Sequence, residues 1–171
     1  SVALRYSIVH GPRQSLKNTY SGALRIFSLN LLLDRDLASF EDNSSLRDYI
    51  SVYDVAEANR IVMENELANY QVFNVCGDRA YKVSELAQIV SDKLNKKYRF
   101  SKNVEFRVGD IRHAVSSNKK LKELGWKINH SEENVVEEYV EWLVSQKIDF
   151  KSFINSQKKI RELGIVENIN N

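Results

Sequence analysis

Three charged side chains crowd one glycine in EFRVGDIRHAV, residues 105–115: Arg107 and Arg112 flank Asp110, and Gly109 breaks the chain between them. Two guanidinium groups and a carboxylate on an irregular piece of backbone suit two tasks. Arginine's planar fork donates parallel, charge-assisted hydrogen bonds and fits a diphosphate. The same groups can instead pair among themselves, or with Glu105, as a structural cluster. Arg47, in RDYISV, poses the same choice. Strand alternation puts Arg47, Tyr49 and Ser51 on one face and Asp48, Ile50 and Val52 on the other, so the arginine sits where a strand leaves a loop. Ligands of α/β proteins gather at strand ends; a surface ion pair with Asp48 or Glu41 is the competing reading. His113, and His10 beside a Gly-Pro turn, are ambiguous between packing and chemistry. Cys76, at a strand end, reads as a small buried hydrophobe.

Other chemistries find little support. Tyr98 and Lys102 have the Tyr-x-x-x-Lys spacing at which a lysine one helical turn away lowers a tyrosine's pKa. The surrounding KKYRFSK, however, reads as a solvated helix end and is set aside as catalytic. The six glycines are too widely spread for a dinucleotide-binding turn, and there is no P-loop, CxxC or HExxH, so no metal site is assigned. A net charge of +2 gives no field to draw nucleic acid or a membrane surface, and any anion site must be local. With one cysteine there is no intrachain disulfide, which suits a reducing cytoplasm.

The elements that must position these residues alternate. At 171 residues and 43% hydrophobic, the chain can bury one sizeable core. It opens abruptly on a β-branched run, SVALRYSIV, which reads as the start of a piece cut from something longer. A polar loop to about Gly22 precedes a helix carrying Leu24, Phe27 and Leu31. Strands follow at 38–41 and 47–52, then a helix with Asp54 as its N-cap and Val55, Ala58, Ile61 and Val62 inward. A strand at 72–76, a Gly77-Asp78 turn and a helix from Ser84 come next. A strand at 104–108 leads into the arginine-rich motif. A short helix closed by Gly125 and a longer one from Ser131 complete residues 1–147. The tail, 148–171, is expected to add one helix near 152–163 and then fray, with NINN disordered. The fold class is α/β.

Five blocks, LRYSIVHGPRQ, SSLRDYISVYDVAEAN, YQVFNVCGDRAYKVSELAQIV, RVGDIRHAVSSNKKLKELGW and VVEEYVEW, resemble in order the C-terminal half of the extended short-chain dehydrogenase/reductase family, over about residues 2 to 145. These are NAD-dependent nucleotide-sugar epimerases and dehydratases. VHGPRQSLKNTYSGALRIFSLNLL is most similar to bacterial sugar-nucleotide 4-epimerases, including those acting on dTDP-linked deoxysugars. The resemblance implies the last strands of a Rossmann-type sheet plus a small mixed α/β substrate-binding region, without the catalytic Tyr-x-x-x-Lys, so no catalytic residue is assigned here and the isolated chain is expected to be inactive. It further implies that Arg47, Arg107 and Arg112 converge on the diphosphate of a nucleotide sugar, that Asp110 accepts a ribose hydroxyl, that Phe40 packs on the base and that Asn74 touches substrate. Tyr6 and Ser7 would approach NAD, which is held mainly by the other half of a parent enzyme expected to be a homodimer. A 4,6-dehydratase or decarboxylase of the family, or a non-catalytic relative, are the alternatives. Ile8 stands where many relatives have asparagine, His10 where they have tyrosine, and Val108 where RPGD has proline. EDNSSLRD lacks a common glycine; these departures bear on sugar specificity and loop geometry.

Overall fold

The computed structural model describes residues 1–18 and 22–169, with Asn103 described for its backbone alone. The end of the expected polar loop and the last two residues of NINN lie outside the described residues. In chain order the elements are β1 (Ala3–Tyr6), β2 (Ile8–His10), α1 (Ala23–Leu32), β3 (Leu37–Phe40), β4 (Leu46–Ser51), α2 (Val52–Glu64), β5 (Val72–Val75), β6 (Ala80–Lys82), α3 (Val83–Leu94), β7 (Phe100–Arg107), α4 (Lys119–Lys122), α5 (Glu132–Val144), α6 (Phe150–Glu162) and β8 (Val166–Asn168). The α/β expectation holds, and no helix among the described residues is long and apolar enough to cross a membrane.

Among the described residues, three small sheets carry the strands. β1 pairs in parallel with β5, from Ala3 opposite Val72 to Tyr6 opposite Val75. The chain then crosses at Ser7 into a second sheet, in which β4 lies between parallel β2 and antiparallel β6. Ser7 hinges the two, its amide bonded to Val75 O at 3.0 Å and its hydroxyl to Asp48 O at 2.6 Å. In the third sheet β7 lies between parallel β3 and antiparallel β8. Parallel pairs need long crossovers, and the helices supply them.

Helical spacing sets what is buried. Leu24, Phe27 and Leu31 of α1 meet Leu86 and Val90 of α3 and Val136, Tyr139 and Leu143 of α5 in one core cluster. A second cluster gathers Val55, Ala58 and Val62 of α2 with Phe73 and Val75 of β5 and Trp126. Trp126 is 1% exposed and its indole N–H bonds Asp54 O at 3.0 Å, so its one polar atom enters the core satisfied. Gly77 belongs to the same join: a Cβ there would stand 2.4 Å from the carbonyl oxygen of Tyr49.

Several expectations need correction. The N-cap of α2 is Ser51, whose hydroxyl accepts from the amide of Tyr53, and not Asp54. Asp54 instead reaches across the fold to the amides of Asn129 and His130 and to His130 Nδ1, at 3.1, 3.3 and 3.0 Å. The stretch around Tyr98 and Lys102 is no helix end: α3 stops at Asn95, which adopts the left-handed conformation, and Lys102 lies within β7. Tyr98 packs edge-on against Phe100 with ring centres 5.5 Å apart. Within the described residues the tail continues past its helix into a strand. Phe153 and Ile160 are buried, and β8 joins β7 with Arg107 opposite Val166.

Candidate functional site

Strand β4 delivers Arg47 and Tyr49 to the same face, as alternation requires. Strand β3 ends on Phe40 and β7 ends on Arg107, and after them the turn at Gly109, with φ +78°, brings Asp110 round. These three chain ends enclose a cavity of about 380 Å³ whose polar side is Ser45, Arg47, Arg107 and Asp110. Its apolar side is Phe40 and Phe27, with Ile8 and the ring of Tyr49 beyond them. A mostly apolar wall with a few convergent charged groups at one end is the composition of a small-molecule site.

The two arginines in the cavity are in different states. Arg47, its side chain 12% exposed, donates from Nη1 to the carbonyls of Leu46 and Arg112 at 2.9 and 2.7 Å, and from Nη2 to Ile111 O at 2.8 Å. Both oxygens of Asp110 stand 3.3 Å from Nη2, the longest of its contacts. Arg47 is thus a latch for the chain after Asp110, holding it so that Ala114 bridges to β4. Arg107 is half-buried and has no ion pair or side-chain hydrogen bond among the described residues. Its five N–H donors are therefore free for a ligand.

Arg112 is turned away from the cavity. Its guanidinium grips Glu41 at 2.6 Å and Asp42 at 2.5 Å, with the Ser44 hydroxyl at 3.1 Å. Hydrogen bonds from Ser44 and Arg112 hold the Asp42 carboxyl well below the usual carboxylate range. What Arg112 gives the cavity is its carbonyl, through Arg47. Neither pairing expected for Arg47 occurs: Asp48 faces Ser116 N at 2.5 Å, and Glu41 belongs to Arg112. Asn74 lies outside the cavity, its amide donating to Ser117 O at 3.3 Å. Tyr6 ends β1 and Ser7 follows it, the phenol bonded to Asn59 at 2.9 Å and the Ser7 hydroxyl to Asp48 O. With both side chains engaged, what remains at that strand end for a cofactor is backbone and the exposed face of the Tyr6 ring.

Behind the cavity lies a buried pair that sequence reading missed. His10 Nε2 and Glu132 Oε2 are 3.0 Å apart, with side chains 2% and 4% exposed, and the imidazole stacks on Tyr49 with ring centres 5.1 Å apart. The two residues stand 122 positions apart, and no local pattern links them. Burial and the charge of Glu132 push the Tyr49 phenol up, against a smaller pull from Arg47. Tyr49 is therefore a neutral wall of the cavity at physiological pH. His113 is exposed and accepts at Nδ1 from Leu46 N at 3.2 Å, a loop contact.

Residues 1–76 match the model of the NAD dependent epimerase/dehydratase family. A dTDP-L-rhamnose 4-epimerase of Burkholderia thailandensis is 31% identical over 150 residues, which are 87% of this chain and 41% of that protein. In crystal structures, UDP-glucose 4-epimerase of Thermotoga maritima with UDP-glucose superposes with a TM-score of 0.73 at 31% identity, over 82% of this chain and 45% of that one. UDP-glucose 4-epimerase of Thermus thermophilus in complex with NAD gives 0.76 at 25% identity, over 85% and 47%. The chain spans about half the length of the relatives it matches. In sequence and in fold, this chain belongs to the NAD-dependent epimerase/dehydratase family of extended short-chain dehydrogenases/reductases.

Proposed function

We propose that the chain is the substrate-binding half of an NAD-dependent nucleotide-sugar 4-epimerase, and that the cavity between β3, β4 and β7 takes the nucleoside diphosphate. The observation that carries this reading is the convergence of Phe40, Arg47, Arg107 and Asp110, from three separate strand ends, on one cavity with an apolar wall. Each group has a task there. Arg107, unpaired, donates to the diphosphate; Arg47 adds its charge and holds the loop. A ribose hydroxyl can take the Asp110 oxygens, since the 3.3 Å contacts to Arg47 are the weakest that carboxylate makes. Phe40 offers a face for the base. Arg112 acts indirectly, fixing the turn at Glu41 and Asp42 that follows Phe40.

The reaction class is inversion at sugar C4 through a 4-keto intermediate, for which NAD, when bound, supplies a reversible hydride acceptor. The acid–base tyrosine and lysine of that chemistry lie outside residues 1–171 on this reading, and the isolated chain binds without turning over. The residues present orient the substrate: they hold its diphosphate and leave the sugar to project past Ile8 and Tyr49. Titration of the protein with UDP, dTDP and their parent nucleosides, followed by calorimetry, tests the reading. Diphosphates should bind at least about tenfold more tightly than uridine or thymidine, because the charge-assisted bonds belong to the phosphates. Equal binding of nucleoside and diphosphate, or none of either, would overturn it.

A further inference from the structure

A second, more polar groove of about 470 Å³ adjoins the cavity and is lined by Glu105 and Arg161. Ile26 and Ala38 wall both spaces. Glu105 and Arg107 stand two residues apart on β7, so strand alternation sets their side chains on one face, about 6.6 Å apart along the chain. A carboxylate so placed is the natural partner for the Arg107 guanidinium. Glu105 pairs instead with Arg161 of α6, which takes both of its oxygens, Nε to Oε1 at 2.6 Å and Nη2 to Oε2 at 2.8 Å. The Arg161 fork is itself fixed by a bond from Nη1 to Gln157 O, one turn back on its helix, at 2.9 Å.

The tail that carries Arg161 is built into β7. Phe153 and Ile160 anchor α6 in buried positions, β8 lies along Glu105 to Arg107, and Val108 N bonds Ile165 O at 3.1 Å. This segment lies beyond residue 145, where the sequence resemblance ends. Resting on the reading of the cavity as a nucleoside-diphosphate site, we propose that Arg161 is a positioning residue. By holding Glu105 in a bidentate pair, it keeps Arg107 unpaired and turned to the ligand's phosphates. Without Arg161, Glu105, 11% exposed, keeps a buried charge with Arg107 as the cation nearest along its strand. Glu105 then competes with the ligand for that guanidinium.

Calorimetric titration of the protein with UDP tests this in three forms: wild type, Arg161→Ala, and Arg161→Ala combined with Glu105→Gln. The single variant should bind UDP about tenfold more weakly. The double variant, with no carboxylate to capture Arg107, should return to within about twofold of wild type although it also lacks the ion pair. That rescue separates positioning from mere support of the tail, since a supporting role predicts a double variant as weak as the single. Wild-type affinity in Arg161→Ala, or a double variant no better than the single, overturns the proposal. Absence of UDP binding by the wild type would instead remove the cavity assignment, and this inference with it.

Discussion

Replacing Arg47 by alanine should destabilise the fold as well as the site, and the structure gives the size. Two of its hydrogen bonds, to Arg112 O at 2.7 Å and Ile111 O at 2.8 Å, tie the chain after Asp110 to β4; that to Leu46 O stays within the strand, and the two to Asp110, at 3.3 Å, are the longest. A hydrogen bond with a charged donor contributes about 1.5 to 3 kcal/mol. The loop is exposed, so the low end applies, and the two loop-tying bonds together give about 3 kcal/mol. For a chain of this size that is a fall in Tm of about 6 to 12 °C. Thermal denaturation followed by circular dichroism measures it. Arg47→Lys should recover less than half, because one ammonium cannot reproduce a planar fork reaching separate carbonyls. Amide exchange localises the effect: the Ala114 N–H, bonded to Leu46 O at 3.0 Å, should exchange faster in Arg47→Ala. A fall in Tm below about 2 °C, with unchanged exchange at Ala114, would refute the latch.

Three further outcomes follow from the surroundings of the cavity. Gly77→Ala should cost about 1 to 3 kcal/mol in urea denaturation, since its Cβ would meet the Tyr49 carbonyl at 2.4 Å and backbone has to move. Burial raises the Asp48 carboxyl above its ordinary 3.8, only partly offset by the Ser116 amide. A raised carboxyl contributes stability that is full below the unfolded value and lost as pH rises through the folded one, so wild type should lose stability relative to Asp48→Asn from about pH 4 upward. A wild-type-to-variant difference independent of pH would contradict that. The Cys76 thiol, buried and pushed up to about 11 by desolvation, should resist a maleimide at pH 8 in the folded protein and react at once in urea.

Sequence reading succeeded where physics is local. The 3.6-residue spacing of Leu24, Phe27 and Leu31 located α1 and its buried face, and strand alternation set Arg47 and Tyr49 together, which is how they line the cavity. It failed where a partner lies far along the chain. Asp54 has the chemistry of a cap, yet its carboxylate is claimed by Asn129 and His130, 75 and 76 residues away. Arg112 looked like a ligand arginine, but Glu41 and Asp42 fold back onto it from the turn after β3. The start of β7 was hidden by the charges of KKYRFSK, which obscure alternation on an exposed strand. β8 has only three residues and no pattern of its own; it becomes a strand because β7 offers an open edge.

The central claim is that Arg107 is held free of protein partners in order to bind a nucleoside diphosphate. Titration of UDP into wild type and Arg107→Ala, with a thermal melt of each, tests it most directly. Affinity should fall at least tenfold, roughly the contribution of a charge-assisted pair of bonds, while Tm stays within about 2 °C because no ion pair is lost. Unchanged UDP affinity in the variant would contradict the account.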